Sequence, residues 1–463
     1  MLRLHDTATG QVEVLALRDP GVVSMYVCGP TVYDVPHVGH GRFALVFDVL
    51  RRYLEFQGLE VRHVSNITDI DDKIIARGKA EGRAPAEVAL EFEQSWWEAI
   101  DALGVRRPTL APKATEFVGQ MVTMIEQLVG LGAAYETSDG VYLSVEGVPG
   151  YGLLARQSLD SLRSGARVEV DEEKRSPLDF VLWKKAKPGE PTWPSPWGPG
   201  RPGWHTECVV MSLDLLGDHF DLHGGGIDLA FPHHENERAQ AVALGRGFAR
   251  RWAHNGHVVV GQEKMSKSLG NFTSLTDLLA SADSRAYRLL VLRAHYRSPL
   301  EVTARTMADA EEALGRFDAL ARRFALDPAL ASVTAAEAVS RGADEDALAT
   351  FTARMDDDLV TPGALSGIFE LVRAANAAAD AGRHDQGSCL ATTVAVLGGA
   401  LGLTLAGRHT DIDGEAAALV AEREAARSRR DFTRADEVRR QLEGLGWSVE
   451  DTARGTELHR RPV

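Results

Sequence analysis

The segment 22–28 is a short apolar run closed by the turn residues Gly29 and Pro30, which predicts a buried strand leaving a sheet. After a loop, Phe43, Val46, Phe47, Leu50 and Leu54 recur at i, i+3, i+4, i+7 and i+11, with Arg42, Asp48, Arg51 and Arg52 on the other face. That spacing predicts an amphipathic helix. The pattern then repeats as a strand over 59–67 and a helix over 70–79. Strand, helix, strand and helix in this order point to a parallel sheet with right-handed crossovers.

Between about 135 and 203 the periodicity breaks into short strand-like pieces and a loop, KPGEPTWPSPWGPGRPGW, too rich in Pro and Gly for a helix. This reads as an insertion within the sheet domain. Alternating elements return over 205–260, and from 275 onward the chain is almost wholly helical and alanine-rich. The last segment, 411–463, changes again: it is rich in arginine and acids and has no lysine. It opens with a helix over 416–429, continues with one in which Ala435, Val438 and Leu442 share a face, and closes with a hairpin over 447–450 and 456–459.

The 463 residues suit several soluble domains, and the net charge of −15 argues against a protein that coats nucleic acid generally. Three scattered cysteines do not build a disulfide scaffold, so the expected compartment is a reducing cytoplasm. The first residues, MLRLHDTATG, lack the apolar core of a secretory signal, and the apolar stretch 392–407 is short of the about 20 residues that span a bilayer. No membrane partner is expected.

Three constellations carry candidate chemistry. His37-Val38-Gly39-His40 lies between a strand end and a helix start, where unpaired N–H groups and the helix dipole favour phosphate. Its two histidines share a face, and Gly39 lets a flat base approach. Alone, this pattern fits a surface histidine pair equally well. Lys264-Met265-Ser266-Lys267-Ser268 suits a mobile clamp on a triphosphate, although a solvated lysine turn would look the same. The third set is Cys28, Cys208, His233 and Glu237. His233 and Glu237 are separated by four and face one way, whereas His234 stands at that spacing from Arg238. Two thiolates, an imidazole and a carboxylate suit zinc, against the commoner fate of cysteines as small buried hydrophobes.

Together with YVCGPTVYD at 26–34, NITDIDDKII at 66–75, RPGWHTEC at 201–208, FDLHGGGIDLAFPHHENE at 220–237 and KMSKSLGN at 264–271, these motifs closely resemble the cysteinyl-tRNA synthetase family of class I aminoacyl-tRNA synthetases. The resemblance runs from Tyr26 to the C-terminus. It implies an α/β fold: a Rossmann-like parallel-sheet catalytic domain with a short insertion, followed by a helical bundle and a small α+β C-terminal domain. The implied divisions are 1–134 and 204–273 for the two catalytic halves, 135–203 for the insertion, 274–410 for a stem-contact and helical bundle, and 411–463 for anticodon recognition.

It further implies ATP-dependent activation of L-cysteine and its transfer to the 3′ end of tRNA(Cys). One Zn²⁺ per chain on Cys28, Cys208, His233 and Glu237 would select the thiol, and Mg²⁺ would accompany ATP. His37, His40, Lys264 and Lys267 become the catalytic groups, with Gly39, Gly225, His37, His40 and Lys267 contacting ATP and Thr68, Trp204 and Asp228 lining the amino-acid pocket. Phe432, Asp436 and Asp451 are the anticodon candidates, Phe432 standing where the family often has tryptophan. A cytoplasmic monomer is expected. The alternative is a cysteine ligase of the mycothiol-synthesis type, which shares the core but uses an amino-sugar acceptor and lacks the terminal domain. A non-catalytic paralogue would be expected to have lost HxGH or the lysine pair, and this chain keeps both.

Overall fold

A computed structural model describes residues 1–463 apart from 160, 163–172, 260–273, 406–413, 453–454 and 461–463. Lys264 and Lys267 therefore lie outside the described residues. At the centre is a four-stranded parallel sheet in the order Trp252–Asn255, Leu222–Gly226, Val22–Val27, Glu60–Ser65. The chain starts on the interior strand Val22–Val27, moves outward to Glu60–Ser65, and only later fills the opposite side. The strand order thus reverses between Val22–Val27 and Leu222–Gly226, and in open α/β sheets ligands bind beyond the carboxyl ends of strands at such a point.

The helix Val38–Phe56 packs Leu45, Phe47, Leu50 and Leu54 into the core, as their spacing predicts. Its expected polar face is not wholly solvated. Arg42 and Asp48 are buried, because the helix Ser284–Arg293 and the turn 295–298 cover them. Arg42 donates to the backbone carbonyls of His257, His295, Tyr296 and Ser298, so each desolvated N–H that it uses finds an acceptor. Asp48 receives Arg288 at 2.5 Å and Arg52 at 2.8 Å.

The insertion forms its own antiparallel sheet, Ala134–Glu136, Gly140–Leu143, Phe180–Lys185 and Gly200–Pro202. From Leu275 the chain is helical, with long members Ala304–Arg323, Thr361–Asp380 and His384–Ala400 sharing one continuous core with the helix Val38–Phe56. At the C-terminus, Gly414–Ser428 and Phe432–Gly444 pack on a hairpin of Trp447–Thr452 and Gly455–Arg460. Ala435, Val438 and Leu442 are the buried face of the second helix. An N-terminal hairpin, Arg3–Asp6 with Gln11–Val14, was not expected from the sequence pattern.

Candidate active site and metal centre

Cys28 directly follows the strand Val22–Val27, and its N–H donates to Gly224 O at 3.1 Å. The helix Trp204–Leu216 brings Cys208 to the same point, and the two Sγ atoms stand 3.6 Å apart. From the far side, the turn before the helix Glu235–Ala243 delivers His233 and the first turn of that helix delivers Glu237. Glu237 Oε1 lies 3.4 Å from Cys28 Sγ and 3.0 Å from His233 Nε2. The four donor atoms all fall within 4.8 Å of one another and all four residues are buried.

Zinc bonds of about 2.0–2.3 Å in a tetrahedron put neighbouring donors roughly 3.3–3.8 Å apart. The spacings of 3.6, 3.4 and 3.0 Å along Cys208, Cys28, Glu237 and His233 lie within a few tenths of an ångström of that figure, so the residues fit a zinc ion. The chemistry of the donors agrees. Burial pushes both thiols up, Cys28 strongly, so thiolates form here only against a compensating cation.

The cluster is braced from several directions. His205 Nδ1 is 2.9 Å from His233 Nδ1, leaving His233 Nε2 to face Glu237. Trp204 stacks on the His233 ring at 3.9 Å while about a third of it stays exposed, a wall between the cluster and solvent. His223 Nε2 contacts the second Glu237 oxygen at 2.7 Å. His234, paired with Arg238 in the spacing argument, instead turns inward, with Nε2 3.9 Å from Glu237 Oε1. Neither His223 nor His234 is marked by local spacing; strand and turn bring them together only in the folded chain.

Beside the thiols, Asn66 Oδ1 accepts from Gly29 N–H at 2.9 Å, and Asn66 Nδ2 donates to Thr68 Oγ1 at 3.1 Å. Thr68 Oγ1 in turn donates to Glu207 Oε2 at 3.1 Å, and Cys208 Sγ is 3.7 Å from Asn66 Oδ1. Thr68 is thus fixed beside the metal candidates. Sequence reasoning gave Asn66 no role; its signal was a polar amide inside the apolar-rich run 59–67, and the structure buries it.

His37 is the N-cap of the helix Val38–Phe56 and His40 its third residue, and the pair forms a reciprocal capping box. Each ring Nδ1 accepts the other residue's backbone N–H at 3.3 Å. The Nδ1 lone pairs are therefore used internally, and each neutral ring carries its proton on Nε2. Burial, with His37 and Lys73 adding, pushes His40 down to about 3; His37 is lowered by burial and raised by Asp228. A Cβ on Gly39 would stand 2.9 Å from the His37 ring, so glycine here keeps the stacked pair close to the backbone.

Asp228 is exposed and folds back over Gly226, whose Cβ would meet its Oδ1 at 2.5 Å. Gly225 is buried, and the space a side chain would need is taken by Leu229 and His234. In the C-terminal unit, Phe432 and Asp436 are both exposed one turn apart on one helix. The side chain of Asp451 lies outside the described residues, and Cys389 sits far from the other two cysteines in sequence as a free thiol on the helix His384–Ala400. Among the described residues no helix is long and apolar enough to cross a membrane.

Comparison with known proteins bears directly on this geometry. Residues 15–312 match the class I (C) tRNA synthetase catalytic domain, 350–406 a DALR domain, and 409–458 the cysteinyl-tRNA ligase anticodon binding domain. Cysteine–tRNA ligase of Halorhodospira halophila is 45% identical over 99% of this chain and 100% of its own length. That of Alkalilimnicola ehrlichii is 46% identical at the same coverage. Among solved structures, Mycobacterium tuberculosis methionyl-tRNA synthetase in complex with methionyl-adenylate superposes with a TM-score of 0.60 at 14% identity, covering 82% of this chain and 89% of that one, a likeness of fold. With a parallel-sheet core, a two-thiol cluster at its switch point and full-length relatives at this identity, the chain belongs to the cysteine–tRNA ligase family of class I aminoacyl-tRNA synthetases.

Proposed function

We propose that the chain joins L-cysteine to tRNA(Cys) in two steps, with ATP as the energy source. The carboxylate of cysteine attacks the α-phosphate, pyrophosphate leaves, and a ribose hydroxyl at the tRNA 3′ end then displaces AMP from the cysteinyl-adenylate. Both steps are governed by positioning and charge stabilisation. The observation that carries this reading is the placement of a buried two-thiol cluster and the His37–His40 helix start at one switch point.

His37 and His40 donate Nε2–H to phosphate oxygens at the helix N-terminus, where neutral donors are already fixed. Lys264 and Lys267 supply positive charge to the departing pyrophosphate, and Mg²⁺ accompanies ATP. Thr68 and Trp204 bound the amino-acid pocket, and Asp228 takes the substrate ammonium or a ribose hydroxyl. Gly39 and Gly225 let the nucleotide approach the backbone closely. Cys28, Cys208, His233 and Glu237 hold a Zn²⁺ ion, which supplies a thiol-selective ligand position when bound.

The division into catalytic halves 1–134 and 204–273, insertion 135–203, helical region 274–410 and terminal unit 411–463 follows this chemistry. Phe432, Asp436 and Asp451 would read the anticodon, by stacking and by accepting hydrogen bonds from base amino groups. The match over 409–458 disfavours an amino-sugar acceptor. The activation step is tested by ATP–pyrophosphate exchange. Exchange that depends on cysteine, with serine inert at equal concentration, is expected; exchange with serine at a similar rate would overturn the thiol-selective reading.

A further inference from the structure

His234 is fully buried, so each ring nitrogen needs a partner within the protein. Its Nδ1 lies 2.8 Å from His254 Nε2, and His254 Nδ1 lies 2.7 Å from Thr7 Oγ1. Its Nε2 has no hydrogen-bond partner, and Glu237 Oε1 at 3.9 Å is too far to be one. A proton on Nε2 would leave a buried donor without an acceptor. With the proton on Nδ1 the chain closes: His234 donates to His254 Nε2, His254 donates from Nδ1 to the Thr7 oxygen, and a lone pair on His234 Nε2 faces the cluster. This is how a metal-binding imidazole is held, its other nitrogen donating to a fixed partner.

Gly225 is a second, independent sign. A Cβ there would stand 2.9 Å from His234 Cε1 and 3.2 Å from His234 Nε2, so the strand keeps open the space that this ring edge occupies. His223 completes the geometry: its Nε2 lies 2.7 Å from Glu237 Oε2 and its buried Nδ1 has no hydrogen-bond partner, so the proton sits on Nε2 and donates to the carboxylate, the Nδ1 lone pair stays unshared, and the ring is stacked on Trp252 at 4.8 Å. Donor atoms of Cys28, His223, His234 and Glu237 lie within 4.8 Å of one another, all buried.

We infer that the pocket contains a second, overlapping position for a divalent cation of the zinc class, held by Cys28, His223, His234 and Glu237. It shares Cys28 and Glu237 with the first position and replaces Cys208 and His233 by two imidazoles. One ion occupies one position at a time, and the second set keeps it in the pocket when Cys208 leaves its shell. The inference rests on the metal reading above and adds to it a ligand set that needs only one thiolate.

The test uses the full chain stripped with a chelator and reloaded with cobalt(II), whose thiolate charge-transfer absorption counts sulfur ligands. The unsubstituted chain is expected to bind one cobalt with the intensity of two thiolates. Cys208→Ala is expected to keep one cobalt with about half that intensity, consistent with one remaining thiolate. Cys208→Ala combined with His234→Asn, which retains a donor toward His254 but lacks Nε2, is expected to lose most of its cobalt under the loading that fills Cys208→Ala. His234→Asn alone, expected to keep one cobalt at full intensity, shows that the substitution leaves the fold able to bind. Equal cobalt affinity for Cys208→Ala with and without His234→Asn would overturn the second position. Loss of all cobalt from Cys208→Ala would overturn it as well. Failure of the unsubstituted chain to bind cobalt would instead overturn the metal reading beneath it.

Discussion

The rings of His37 and His40 lie stacked, 3.7 Å between centroids and 14° between planes, and each Nδ1 accepts the other residue's backbone N–H. Two neutral Nε2–H donors are thereby aimed outward from one helix start. His40→Ala is expected to lower the rate of cysteine-dependent pyrophosphate exchange about 10²–10³-fold, the cost of removing a preorganised donor. Metal content and cysteine affinity should not change. Because His40 is pushed down to about 3, its protonation should leave no acid limb between pH 6 and 8. An acid limb near 6.5 that disappears in His40→Ala would contradict this assignment.

Asp48 and Arg288 form a buried pair across the junction of the sheet domain and the helical region. Burial alone would raise the Asp48 carboxyl, yet Arg288 and Arg52 hold it below the usual carboxylate range. Removing one partner strands the other charge in the interior. Arg288→Met is therefore expected to cost about 3–5 kcal/mol, read as a lower urea midpoint, while the double change Asp48→Leu with Arg288→Met recovers most of the loss. An unchanged midpoint in the single variant would refute the argument.

His63 is buried with neither ring nitrogen hydrogen-bonded, beside a cavity lined by Phe43, Phe47, Trp96 and Trp97. Burial pushes it down to about 3 from 6.5. The unfolded chain therefore binds the extra proton, so the stability of neutral His63 is complete above pH 6.5 and is lost as pH falls toward 3. In this window His63→Leu should flatten the stability–pH slope by about 1.4 kcal/mol per pH unit. Parallel slopes for the two proteins in urea titrations would show that His63 does not carry this term.

Asn66 joins the backbone behind Cys28 to Thr68 and stands next to Cys208. Partners of this kind orient metal ligands, and their loss costs about 10–100-fold in metal affinity or activity. Asn66→Ala is expected to weaken zinc binding and raise the KM for cysteine together, with the KM for ATP little changed. A variant with normal zinc affinity and normal cysteine KM would remove Asn66 from this role.

The helix Val38–Phe56 was legible because Phe43 to Leu54 repeat at helical spacing over three turns, and the terminal hairpin because strand and turn residues alternate over 447–459. The short hairpin at Arg3–Asp6 was not, since strands of four residues carry too little periodicity. Asp48 and Arg42 looked like surface charges because local spacing says nothing about a helix that arrives some 240 residues later to cover them. At the metal cluster, the i, i+4 relation of His233 and Glu237 was readable and the four donor types suited zinc, whereas the choice of zinc ligands over buried small hydrophobes for Cys28 and Cys208 came from family resemblance. Thr7, His223, His234 and His254 converge from separate segments, and only the folded chain shows their hydrogen-bond relay.

Charging of tRNA(Cys) with cysteine is read by transfer of radiolabelled cysteine to tRNA(Cys) by the zinc-loaded chain, with serine and an amino sugar as competitors. ATP-dependent cysteinyl-tRNA, undiminished by either competitor, is expected. Cysteine-dependent pyrophosphate exchange without labelled tRNA, or label appearing on the amino sugar, would contradict that charging reaction.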